Sequence, residues 1–114
     1  MPIRASDSLL PLTPIAFEVL LALADDDLHG YAILQAVGER VQGVLPMRTG
    51  TLYRALASLL DHGLIDEIAS TGDARRRVYR ITSDGRRILR AEAERLAGQV
   101  AAARAKRVLS RKPS

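Results

Sequence analysis

Apolar positions recur along this chain first at helical and then at strand spacing. Ile15 to Ala24 is apolar nearly all round, which predicts a helix covered on more than one side. Pro14, after Thr13, suits its first turn because no N–H is needed there. Asp25, Asp26 and Asp27 end that pattern. Tyr31, Leu34, Val37 and Val41 then predict a second helix from about Gly30 to Val41, with Gly43-Val44-Leu45-Pro46 as the turn that follows. A third helix is expected over Thr49 to His62. At about 100° per residue, Leu52, Leu56, Leu59 and Leu60 share one side and Thr51, Arg54 and Ser58 the other. Thr49 is its expected cap, and Gly63 its left-handed stop, with Leu64 or Ile65 folding back onto the last turn.

Beyond Gly63 the period shortens. Leu64 to Ala69 carries the β-branched Ile65 and Ile68, Arg77 to Ile81 alternates with Tyr79 and Ile81 on one side, and Ser70-Thr71-Gly72-Asp73-Ala74 between them is turn-rich. A β-hairpin is expected, with Arg75, Arg76, Arg77 and Arg80 on its outgoing strand. Thr82 then suits an N-cap with Asp84 in the first turn, and a helix is expected to about Lys106. Along it, Leu89, Ala93, Leu96, Val100 and Ala103 advance by alternating steps of four and three, the seam of a helix pair. Ile88 and Leu89 can pack on their own domain. Leu96, Val100 and Ala103 lie too far along a helix rising about 1.5 Å per residue, which points to a homodimer.

A short amphipathic helix followed by a basic hairpin is the layout of a winged helix-turn-helix. A row of Thr, Arg and Ser also suits a merely solvated face. Its functional alternative is contact with DNA, since Arg offers a bidentate fork to guanine and hydroxyls serve base edges or phosphates. Arg48, Thr49, Thr51 and Arg54 are therefore candidates for bases or nearby backbone, and Ser58, Arg75, Arg76 and Arg77 for phosphates. Tyr53, at the border of the apolar face, suits either a core position with its hydroxyl at the surface or a phosphate contact. His29 and His62, the only histidines, each stand beside a glycine at a helix end, where capping or turn chemistry explains them better than metal ligation.

Gly50-Thr51-Leu52-Tyr53-Arg54-Ala55-Leu56, then Leu59, Asp61-His62-Gly63-Leu64-Ile65, and Arg77-Val78-Tyr79-Arg80-Ile81-Thr82-Ser83-Asp84-Gly85-Arg86 together resemble the PadR family of bacterial transcriptional regulators. Leu28-His29-Gly30-Tyr31-Ala32-Ile33 is similar to that family's His-Gly-Tyr signature, and Leu12-Thr13-Pro14 to its entry into the first helix. The match runs from about Leu12 to the end of the last helix. Many relatives carry Pro after the Leu-Tyr pair, where this chain has Arg54; the change bears on operator sequence and not on fold. The resemblance implies dimerisation through the C-terminal helix and repression, often relieved when a small aromatic compound or drug occupies the dimer. With no Trp, one Phe and three Tyr, the sequence favours no particular effector.

The expected fold is mainly α with a small β-hairpin. Residues 1–82 form a winged helix-turn-helix domain with an N-terminal arm, 83–107 a dimerisation helix and 108–114 a basic tail. A chain of 114 residues fits one small domain, and the net charge of +4 is unevenly spread. Met1 to Ser70 holds 4 Arg against 9 acids (−5), and Thr71 to Ser114 holds 13 Lys and Arg against 4 acids (+9). Such asymmetry suits double-stranded DNA as a partner and places the positive field on the hairpin and last helix. The absence of cysteine excludes a disulfide framework and thiolate chemistry, and fits a cytoplasmic location. No run reaches membrane-spanning length and no signal peptide is evident. Without metal-ligand spacing, a phosphate loop or an oriented acid–base pair, neither an enzyme nor a cofactor is expected. The rival from another class is a winged-helix interaction module that binds RNA or an acidic protein.

Overall fold

The computed structural model describes residues 5–44, 48–68 and 77–109. After a short 3-10 turn, Ala5–Leu9, the chain runs α1 (Pro14–Leu23), β1 (Leu28–His29), α2 (Gly30–Val41), α3 (Thr49–Asp61), β2 (Ile65–Ile68), β3 (Val78–Ile81) and α4 (Ser83–Ala105). Helix starts follow side-chain chemistry. Thr13 Oγ1 accepts from the Ala16 N–H at 3.2 Å ahead of Pro14, and His29 Nδ1 accepts from the Ala32 N–H at 3.2 Å. The start of α3 differs from expectation: Arg48 holds the extended cap position and Thr49 is already helical. A guanidinium has no acceptor to offer the free amides, so this start carries no side-chain cap.

The stop of α3 is as anticipated. Gly63 takes φ 72, its N–H reaches the Leu60 carbonyl at 3.1 Å, and the Leu64 N–H reaches the Leu59 carbonyl at 2.9 Å. The same turn seats α4. Thr82 Oγ1 donates to the Gly63 carbonyl at 2.8 Å and accepts from the Gly85 N–H at 2.9 Å, so one hydroxyl caps α4 and ties it to the end of α3.

The hairpin strands pair antiparallel, Ile65 opposite Ile81 and Ile68 opposite Val78. A third strand, absent from the sequence expectation, joins them: β1 pairs with β3, giving the order β1-β3-β2. Two residues are too few to show a period, and only the partner strand makes them one. Buried Val19, Leu20 and Leu23 of α1 meet Ile33, Val37 and Val41 of α2 and Leu52, Leu56 and Leu59 of α3, closed by the sheet's Ile65, Tyr79 and Ile81 and by Ile88 of α4. On α2 the buried stripe runs through Ile33, whereas Tyr31 is exposed, and Leu60 is only half-buried. No helix among the described residues is long and apolar enough to cross a membrane.

One charged side chain enters this interior. Glu92, on α4, is 2% exposed; its carboxylate accepts from the Leu12 N–H at 2.9 Å and from Arg95 Nε and Nη2 at 2.5 and 3.0 Å. It therefore fastens the segment before α1 to α4, as Asp7 does through Arg87 at 2.6 Å. The Arg95 hydrogen bond is the main influence holding the Glu92 carboxyl below its ordinary value near 4.5, against the upward push of burial. A depressed carboxyl stabilises the fold fully above that ordinary value, and the contribution fades as pH falls through the lower, folded value. Glu92→Gln is expected to cost about 2 kcal/mol at pH 7, with the deficit against wild type shrinking below pH 4.5, read from paired thermal melts.

Candidate nucleic-acid interface

The exposed side of α3 follows from its leucines. Counting about 100° per residue from Leu52, Arg54 lies about 200° round, at the outward pole beside Gly50 and Ala57. Thr51 and Ser58 fall at about 250° on one flank, and Tyr53 at about 100° on the other. Arg48, Thr49, Tyr53, Arg54 and Ser58 are exposed, and Thr51 is half-exposed.

The two flanks meet different neighbours. Thr51, Arg54 and Ser58 border a groove of about 790 Å³ between α3 and the start of α1. On the other flank, Tyr53 lies over the start of α2, where a Cβ on Gly30 would sit 3.5 Å from its hydroxyl. The polar row expected to face one way does so: Thr51, Arg54 and Ser58 share the groove beside α1, with Arg54 nearest the outward pole. Tyr53 is 51% exposed, which removes the core alternative for it. Tyr31, at the same end of α2, is 62% exposed, with its hydroxyl accepting from Gln35 Nε2 at 3.3 Å. The His-Gly-Tyr segment was the available signal, but its helical spacing with Leu34 and Val37 suggested core.

The hairpin cations are not equivalent. Arg77 is exposed and paired with Glu67 across the strands at 2.9 Å. Arg80 Nη2 and Nε hold one oxygen of Asp27 at 2.8 and 3.1 Å, and this hydrogen bonding lowers the Asp27 carboxyl below its usual range. Arg80 therefore tethers the loop before β1, and the three-aspartate stretch has a structural use. Arg75 and Arg76 lie outside the described residues. By contrast, Arg48 and Arg54 meet no carboxylate among the described residues.

On α4, Leu89 is half-buried against the core, Leu96 and Ala103 are half-buried, Ala93 is exposed and Val100 is 42% exposed. The seam thus leaves the domain beyond Glu92. No group of His, Asp or Glu among the described residues is placed to hold a metal ion.

The model of the "Transcriptional regulator PadR-like family" matches residues 19–91, from the middle of α1 into α4. The chain belongs to the PadR-like family. That family is one of transcription regulators and not of enzymes. The chain is similar to an "Uncharacterized 37.1 kDa protein in transposon TN4556" of Streptomyces fradiae, 44% identical over 85 residues. The alignment takes in 72% of this chain and only 24% of that protein.

The PadR-like fold is shared with solved regulators. A PadR family transcription regulator from Clostridium difficile R20291 superposes with a TM-score of 0.68 at 20% identity, over 81% of this chain and 96% of that one. A transcriptional regulator from Clostridium thermocellum gives 0.63 at 26%, over 87% and 95%. Bacillus subtilis PadR, solved in complex with operator DNA, gives 0.61 at 22%, over 71% of this chain and 47% of that one. The mostly helical chain with its small antiparallel sheet is thus a winged helix-turn-helix of the PadR type.

Proposed function

We propose that this PadR-family chain is a sequence-specific repressor that binds a pseudo-palindromic operator as a homodimer in the cytoplasm. The observation that carries the reading is Arg54 at the outward pole of α3, unpaired with any carboxylate among the described residues and flanked by hydroxyls. Arg48, Thr49, Thr51 and Arg54 read bases or nearby backbone; Tyr53, Ser58, Arg75, Arg76 and Arg77 hold phosphates. The operator complex of Bacillus subtilis PadR supports DNA as the partner, as does the basic half of the sequence from Thr71 onward. Residues 1–82 carry the recognition, 83–107 the pairing of protomers and 108–114 a basic tail. Relief by a small-molecule effector fits the same scheme, provided the effector prefers one of two states of the dimer.

Two recognition helices related by a two-fold axis would enter successive major grooves, with half-sites about one helical turn apart. Selection of bound sequences from a random duplex pool tests this. A symmetric consensus is expected; recovery of no consensus would count against sequence reading.

Pairing is assigned to Leu89, Ala93, Leu96, Val100 and Ala103, because their stripe extends past the domain's own cover. The double variant Leu96→Glu, Val100→Glu places like charges along a two-fold seam. It is expected to convert dimer to folded monomer and weaken operator binding at least tenfold. Sedimentation and circular dichroism on the same sample read both effects.

A further inference from the structure

The groove between α1 and α3 sets beside the DNA-assigned Arg48, Thr51, Arg54 and Ser58 an apolar wall that DNA reading does not require. Its wall is aliphatic, made by Pro14, Ile15 and Ala16 at the start of α1 and by Ala55 and Leu59 on α3. Arg48 and Arg54 also line it, together with Thr13, Thr51 and Ser58. Among the described residues no Asp or Glu lines it, and neither arginine has a carboxylate partner. A volume of about 790 Å³ lies within the range that accepts a small organic molecule. An apolar wall would gain from burying an alkyl chain, and paired guanidinium and hydroxyl donors would hold an anionic head.

We propose that this groove is a binding site for an amphipathic aliphatic anion of the medium-chain carboxylate class, held head-first by Arg48 and Arg54 with its chain along Ile15 and Leu59. An aliphatic chain is favoured over a ring because, among the described residues, no aromatic side chain lines the groove to stack on one. The charge complement excludes a cation, and the hydroxyl row gives the second carboxylate oxygen its donors. The competitive consequence rests on the role proposed above for Arg48 and Arg54: an anion seated there takes the cations from DNA, so ligand and operator exclude one another.

Sodium decanoate, kept below its micelle concentration, is the probe, titrated calorimetrically into the full chain without DNA. Saturable binding is expected, with acetate inert and decyltrimethylammonium at least tenfold weaker. Arg54→Gln, an exposed change that leaves the core intact, is expected to weaken decanoate about tenfold. Ile15→Ala is expected to weaken it about fivefold while leaving duplex affinity unchanged. Absence of saturable decanoate binding, equal binding of decyltrimethylammonium, or indifference to Arg54→Gln would overturn the site. Decanoate should also release the wild-type chain from a selected duplex; binding without release overturns the competition. Duplex affinity measured without decanoate tests the DNA reading separately, so a failure there is distinguishable from a failure of the groove.

Discussion

Gly85→Ala is expected to destabilise the protein by about 3 kcal/mol, on the order of 10 °C in Tm, although alanine is the better helix former. The first turn of α4 presses Gly85 directly onto Leu64, in the turn that follows α3. A Cβ there would lie 2.9 Å from Ile81 Cγ1, 3.0 Å from the Leu64 carbonyl carbon and closer still to the Leu64 oxygen. The Ile81 side chain can yield, but the Leu64 carbonyl cannot, because it accepts from the Thr82 N–H at 3.1 Å within the Gly63–Leu64 turn that also receives the Thr82 hydroxyl. Relief therefore means moving α4 away from α3 and opening that joint. Gly98 is the internal control. It lies in the same helix with nothing within 4 Å of its added Cβ, so Gly98→Ala is expected to gain roughly 0.5–1 kcal/mol from propensity alone. Urea unfolding of both variants separates the two cases, and similar midpoints would show that the α3–α4 contact is slack.

The second large effect concerns binding and depends on which kind of contact is removed. Arg54 is assigned to a base edge, where a bidentate guanidinium contributes about 1–3 kcal/mol of discrimination, so Arg54→Ala is expected to lose about tenfold to a hundredfold in preference for the matched base. Arg76, in the Arg75-Arg76-Arg77 run of the sequence, is proposed to hold phosphate. Arg76→Ala should weaken all duplexes alike and reduce the slope of log affinity against log salt by about 0.9. The contrast is informative because both changes remove one positive charge. Titrations of matched and single-base-changed duplexes at several salt concentrations distinguish them. If both variants lost affinity uniformly, Arg54 would be a phosphate contact and base reading would belong to other residues.

Much of the frame was legible because local chemistry and global packing agree. Thr13-Pro14, Thr82 and Gly63 announce helix limits through hydroxyl acceptors, a proline that needs no N–H and a left-handed glycine, and the structure uses each in that way. Leu52, Leu56 and Leu59 likewise fix which side of α3 is outward. What escaped depends on distant parts of the chain. β1 exists only because Val78 and Tyr79 are there to pair with it. Glu92 is polar by type and sits one position from a seam residue, and its burial needs the Leu12 amide from 80 positions away. Tyr31 matched the apolar period of α2, yet the core takes Ile33 in its place, since period alone does not choose between neighbouring stripes. Similarly, the outward row of α3 was legible as polar, whereas the groove it forms with the start of α1 depends on how the helices cross.

The outward pole of α3 is proposed to read duplex sequence. The most direct measurement compares the affinity of the wild-type chain for a duplex carrying its selected consensus with that for a scrambled duplex and a single-stranded RNA of equal length and charge, at about physiological salt. A preference for the consensus of about a thousandfold or more is expected, with the scrambled duplex and the RNA alike weak and steeply salt-dependent. Equal affinity for all three, or a preference for the RNA, would contradict it.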